Sequence, residues 1–195
     1  MMDCAEPTLI EMVGINDIPD KVYDKISKGK YKAKPYYEAW RQMLTRTFNQ
    51  GYIKKHPTYM HVQMCKEWLR LSNFKEWHDE NYIKGWELDK DILSGDYKMY
   101  GPLTCAYVPP EVNAIYKSYP ISKSGLPRGV FKNNKKYTAR LRLHKGNSLS
   151  LGTYNTIKEA NMAVNKAISQ KKKTMADKYQ HVLNNKVLNK LQGGL

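Results

Sequence analysis

Large apolar side chains recur at helical spacing in PYYEAWRQMLTRTFNQ, residues 35–50, where Tyr36, Trp40, Met43, Leu44 and Phe48 mark one face. Pro35 sits where a helix start accepts proline. A second helix is expected after Ser72, because NFKEWHDENY spaces Phe74, Trp77 and Tyr82 with polar residues between them. Both aromatic stripes read as core. Residues 1–34 end in KISKGKYKAK, which is polar and weakly patterned, and read as an arm or linker. From Trp86 to Lys117 the pattern predicts a short strand (WELDKDIL), a turn (SGD), an extended return (YKMYGPLTCAYV) and a helix (EVNAIYK) behind Pro109 and Pro110.

Residues 128–167 predict three short strands and a helix. Phe131, Tyr137, Ala139, Leu141 and Leu143 alternate through most of the first hairpin, HKGN supplies a turn, and SLSLGTY makes a third strand. Thr156 is placed to cap a helix whose apolar face includes Ala160, Ala163, Val164 and Ala167. The sheet face away from this core presents Thr138, Arg140 and Arg142, with Lys132, Lys135 and Lys136 nearby. In residues 171–195, Met175, Tyr179, Val182, Val187 and Leu191 fall near helical spacing after a KKK run. This is a C-terminal basic helix that either packs on the preceding module or tracks a phosphate backbone. The pattern as a whole is α+β, divided into an arm (1–34), a helical and hairpin module (35–119), a three-strand-plus-helix module (120–170) and the C-terminal helix (171–195).

Charge sharpens that division. Residues 1–113 carry 16 Lys and Arg against 16 Asp and Glu, whereas residues 114–195 carry 17 against Glu159 and Asp177 alone, so the surplus of +15 lies in the last 82 residues. A basic, patterned segment of this kind fits a polyanion, and lysines and arginines that neutralise phosphates give nucleic-acid affinity without reading sequence. The expected partner is double-stranded DNA. Three cysteines, Cys4, Cys65 and Cys105, with no CxxC pair exclude a disulfide framework or an all-cysteine zinc site and fit a reducing cytoplasm. No stretch approaches the roughly 18–20 apolar residues of a membrane span, and MMDCAEPTLIEM lacks a basic n-region followed by an apolar core.

WELDKDIL…YGPLTCAYVPPEVN resembles the HNH homing endonucleases of tailed bacteriophages, and the helices YYEAWRQMLTRTFN and HPTYMHVQMCKEWLRLSNFKEW are similar to the N-terminal part of one subfamily. The resemblance implies a ββα-metal module acting in the host bacterial cytoplasm. It places the metal-binding Asp on Asp89 and the late Asn on Asn113, with Mg²⁺ or another divalent cation as cofactor. Two positions depart from the general pattern: the base position holds Lys90, and the central Asn that stiffens the loop falls on Thr104. Phosphodiester hydrolysis of this type needs a divalent ion on the scissile phosphate and a base for the attacking water. Asp89 and Asn113 offer hard oxygens suited to Mg²⁺. A lysine, with a reference pKa of about 10.4, is a poor base unless strongly depressed, and the flanking Asp89 and Asp91 push the other way. Lys90 is therefore expected to stay cationic on phosphate, leaving Asp91, His56, His61 or His78 as the base. By itself D-K-D is equally a solvated turn beside an ordinary hairpin.

RGV at Arg128–Val130, the run Tyr137–Arg142, LGTY at Leu151–Tyr154 and the E-A-x-x-A spacing from Glu159 to Ala163 resemble the DNA-binding domain of plant ethylene-response factors. The resemblance covers about 45 residues and implies base or backbone contact by Arg128, Arg140 and Arg142. An arginine of the family's first strand is replaced by Phe131, and the basic and Trp positions of its third strand hold Ser148 and Ser150. The two resemblances together imply a site-specific DNA endonuclease of phage homing type. The alternative is a regulatory DNA-binding protein on a degenerate HNH frame.

Overall fold

The computed structural model describes residues 8–11, 13–95, 97–116, 125–143 and 146–193. Cys4, Asp96 of the SGD turn, Lys117, the 119–120 boundary and His144 and Lys145 of the HKGN turn lie outside the described residues. The chain is a mixture of helices and small sheets. In order, the first part contains β1 (Thr8–Ile10), β2 (Gly14–Asn16), β3 (Tyr23–Ser27), β4 (Lys30–Ala33), α1 (Pro35–Phe48), α2 (Gln50–Lys55), β5 (Gln63–Met64) and α3 (Leu71–Asn81). There follow β6 (Glu87–Asp89), α4 (Asp91–Ser94), β7 (Met99–Tyr100), β8 (Ala106–Val108) and α5 (Pro110–Tyr116). The last part has β9 (Val130–Asn133), β10 (Lys136–Arg142), β11 (Ser148–Tyr154), α6 (Ile157–Tyr179) and α7 (Asn185–Leu191). No described helix is long and apolar enough to cross a membrane.

Two compact units divide the chain, one of residues 1–84 and 94–107, the other of 85–93 and 108–195. This partition groups β6 and α5 with the basic C-terminal half.

In the first unit α1 buries Tyr36, Tyr37, Trp40, Met43 and Leu44, the face its periodicity marks. The indole of Trp40 donates to the Trp68 carbonyl at 2.7 Å, which removes a buried polar orphan from an aromatic core. The expectation of an arm over residues 1–34 is corrected. β1 pairs with β2 and β3 with β4, both antiparallel, and their strands lack apolar alternation because the described β3–β4 side chains face solvent. Gly14 lets β2 lie against α1, since a Cβ there would meet Leu44 at 2.3 Å. The carboxylate of Asp17 then accepts from the Ser72 amide at 3.0 Å and hydroxyl at 2.8 Å, tying this segment to the start of α3.

Residues 86–108 also depart from a plain hairpin. WELDKDIL is extended only over Glu87–Asp89, because the Asp89 carboxylate accepts from the Ile92 amide at 2.9 Å and closes the turn of α4. The return is broken at Gly101–Thr104, where the Thr104 hydroxyl donates to the Met99 carbonyl at 2.7 Å. β7 instead pairs in parallel with β5.

In the second unit the antiparallel sheet runs β11-β10-β9 and packs one face on α6. Its core is Val130, Ala139, Ala160 and Val164, flanked by Tyr137, Leu151 and Tyr154. Phe131 is not part of that core. Register sets it opposite Thr138, on the other face and 53% exposed, and the smaller Val130 takes the inward position opposite Ala139. Gly129 is obligatory in RGV: its φ is +77°, and a Cβ would meet the Arg140 carbonyl at 2.5 Å. Thr156 and Glu159 form a reciprocal capping box at the start of α6. The helix then runs unbroken through Lys171–Lys173 to Tyr179, so the separate helix expected over 171–195 is instead the second half of α6 plus the short α7.

Candidate functional site

Two polar constellations lie in the second unit. The first is the free face of the sheet. Strand alternation puts Ala139 and Leu141 inward and Thr138, Arg140 and Arg142 on the other face, where the arginines are exposed but Thr138, expected to be presented with them, is only 8% exposed beneath Asn133 and Thr153. Across β11 the residues opposite the two arginines are Ser150 and Ser148, whose side chains are small. Arg140 lies 5.8 Å from the Phe131 ring, a cation–π contact that orients it. Phe131 thus does work on the arginine face that its size alone would have assigned to the core.

Lys136 faces the same side opposite Asn133, and Lys135 is in the two-residue turn with Asn134, whose φ is +54°. Lys132 pairs with Tyr137 and so belongs to the other face, exposed on the edge strand. Arg128 is turned differently from Arg140 and Arg142. Its guanidinium donates to the Ile115 carbonyl at 3.1 Å, at the C-terminal end of α5 where a cation is favoured. A cleft of about 350 Å³ between α5, the end of β10 and α6 is lined by Arg128, Arg142 and Lys171 together with Glu111.

The second constellation surrounds Asp89. Glu87 and Asp89 share a face of β6, and α5 lays Asn113 on the first of them: the Asn113 amide donates to the Glu87 carboxylate at 2.6 Å. Asn113 is 6% exposed and Asp89 8%. Burial pushes the Asp89 carboxyl up to about 6; the Ile92 amide opposes this, the Asp91 charge adds to it, and Lys90 opposes it. Tyr116, one turn beyond Asn113, is pushed up to about 12 by burial and by the Asp89 charge, and its hydroxyl donates to the Lys190 carbonyl at 3.0 Å. Lys90, 6% exposed, forms an ion pair with Asp91 at 2.5 Å.

Of the sequence-predicted residues, Asp89, Lys90, Asp91 and Asn113 are therefore gathered in one unit. Thr104 belongs to the other unit, where its hydroxyl donates to the Met99 and Gly101 carbonyls of its own loop. His56, His61 and His78 are also residues of the first unit. His56 stacks on Tyr52, with ring centroids 4.4 Å apart. His78 is 3% exposed, 2.7 Å from the Tyr107 hydroxyl and stacked on Tyr82 at 4.6 Å, and burial lowers its pKa to about 4. Glu87 was not singled out from the sequence; its two-residue offset from Asp89 was the available signal.

The oxygen-rich set of Glu87, Asp89 and Asn113 fits the needs of Mg²⁺, which takes one or two carboxylates and keeps several waters. Among the described residues no three His, Cys, Asp or Glu side chains cluster closely enough to hold a metal ion by themselves.

The helix bearing Asn113 is also clamped from outside. Glu111 accepts from Lys178 at 2.6 Å and from the Tyr179 hydroxyl, both at the far end of α6, and these partners hold its carboxyl below the usual range. Trp86 sets its ring edge-on to Tyr179 with centroids 6.1 Å apart, and Lys172 lies 4.7 Å from the Tyr116 ring. No protein-family model, curated protein or solved structure matches this chain.

Proposed function

We propose that this protein is a DNA endonuclease, with the sheet face of Arg140 and Arg142 binding the duplex and the Asp89 constellation hydrolysing a phosphodiester. The observation that supports it most is the meeting of Asn113 with Glu87, which joins residues 26 positions apart on the strand that ends in the buried Asp89. Outward arginines on a twisted three-stranded sheet present the bidentate donors that recognise guanine O6 and N7 in a major groove. Glu87, Asp89 and Asn113 are the residues that would hold Mg²⁺. Bound there, the ion supplies positive charge to the scissile phosphate. Lys90, ion-paired with Asp91, adds a second positive charge for the phosphate oxygens. The half-exposed Asp91 carboxylate accepts the proton of the attacking water.

A second reading, a DNA-binding protein without hydrolysis, is favoured by the Lys90–Asp91 ion pair, which occupies both candidates for base chemistry. Cleavage of duplex DNA with Mg²⁺ or with EDTA separates the two. Discrete Mg²⁺-dependent fragments that fall at least about 100-fold in Asn113→Ala, with duplex binding retained, support the endonuclease. Tight, salt-sensitive binding with no cutting under any divalent ion leaves the binding protein.

A further inference from the structure

The first unit carries 15 Lys and Arg against 12 Asp and Glu, and that small surplus is unevenly placed. Residues 20–34 hold Lys21, Lys25, Lys28, Lys30, Lys32 and Lys34 against Asp20 and Asp24, a local surplus of four. Folding gathers these residues on the β3–β4 hairpin, where every residue of β3 and all of β4 but Ala33 is exposed. The ribbon is anchored at its base, by Tyr23 edge-on to Tyr37 at 5.4 Å and by the Lys34 amide donating to the Val22 carbonyl at 2.9 Å. Beyond that base its side chains stay exposed. Ile26 and Tyr31 remain 64% and 63% exposed beside the lysines. Among the described residues, Lys25, Lys28, Lys30 and Lys32 form no ion pair, and only Lys32 stands across the ribbon from an acidic residue, Asp24.

We propose that the β3–β4 hairpin is a second nucleic-acid contact, a ribbon whose lysines lie along the phosphate backbone of duplex DNA. The inference rests on the DNA-binding reading above and assigns part of that binding to the unit that holds only three of the chain's fifteen surplus positive charges. Charge complementarity argues for the partner, since a duplex carries about one negative charge per 1.7 Å of axis. Residue type argues for the mode. The sheet of the second unit offers arginines, whose planar forks read base edges, while the hairpin offers only lysines, which act as point charges and hold phosphates without reading sequence. The hairpin therefore adds affinity and footprint, and leaves sequence preference to Arg140 and Arg142.

The test uses the full chain and a 40-base-pair duplex of random sequence, with affinity measured between 50 and 300 mM KCl. K25S/K28S/K30S/K32S is compared with the wild type, with R140A/R142A and with the charge-keeping K25R/K28R/K30R/K32R. Each lost phosphate contact removes about 0.9 from the slope of log affinity on log salt. The serine variant is expected to lose about 3 in that slope and roughly two to three decades of affinity at 0.1 M salt. The arginine replacements should keep the wild-type slope. If the wild type binds no duplex, both the DNA-binding reading and this inference fall. If it binds and R140A/R142A weakens it while the serine variant keeps the wild-type slope, the inference alone is overturned. The same holds if the serine substitutions reduce only attachment to anionic lipid vesicles.

Discussion

His78 in the first unit and Asp89 in the second are both less than a tenth exposed, yet the two burials have opposite chemical consequences. His78 is enclosed by rings, with Tyr36, Phe74, Tyr82 and Tyr107 around it. Its pKa is lowered to about 4, so it packs as a neutral ring and has no proton to exchange near neutrality. Asp89 accepts from the Ile92 amide but is largely desolvated, and burial raises its pKa to about 6, so at neutral pH it carries a charge that its surroundings poorly stabilise. A cation arriving there relieves that strain. Burial alone thus does not mark a functional site; the sign of the shift and the neighbours do.

The strongest way to break the comparison is His78→Ala, which removes a large buried ring and should lower stability by about 2–4 kcal/mol, measured by denaturant unfolding. A loss below about 1 kcal/mol would mean that the ring cage is not structural. Next is Asp89→Asn in EDTA. The amide keeps an oxygen for the Ile92 N–H and removes the buried charge, so stability at pH 7 should rise by on the order of 2 kcal/mol and hardly change at pH 4. The same variant should lose Mg²⁺-dependent cleavage. An equal effect at both pH values would sink the assignment.

The two groups also give opposite pH slopes. Between 3.8 and about 6 the folded state holds more protons on Asp89 than the unfolded state, so its contribution to stability falls as pH rises through that window. Between about 4 and 6.5 the unfolded state binds more protons on His78, so that contribution rises. In the wild type the two largely cancel. Asp89→Asn should therefore expose a stability that climbs from pH 4 to 6.5, read by thermal unfolding across that range. The smallest effect expected is that of Glu111→Gln, which keeps the side chain's shape but weakens its hold on Lys178 and Tyr179. It should cost about 1 kcal/mol and loosen α5 without touching Asp89 directly.

Periodicity made α1, the capping box at Thr156 and the outward placement of Arg140 and Arg142 legible, because each depends on residues close in sequence. Phe131 was misplaced because the inward position on β9 is set by register against β10, which residue size does not reveal. The DIL of LDKDIL reads as strand by its apolar residues, while the Asp89 side chain diverts it into a helical turn. The hairpin of residues 23–33 was hidden by its polarity, since strands exposed on both faces carry no alternation. Glu87 showed only its two-residue offset from Asp89, for a different reason. Its partner lies on a helix whose position is fixed by α6 and α7, at the other end of the chain.

Helix α6 begins in the capping box against the sheet and ends on the helix that bears Asn113, and it does so in 23 residues without a break, a rod of about 34 Å. A tether of that length would let its two ends wander; a rod makes a calliper. Under the proposed activity the offset between the bound sequence and the cut is then fixed by the rod and not by a linker. Deleting a single residue from its middle would both shorten the calliper and swing its far jaw by about 100°.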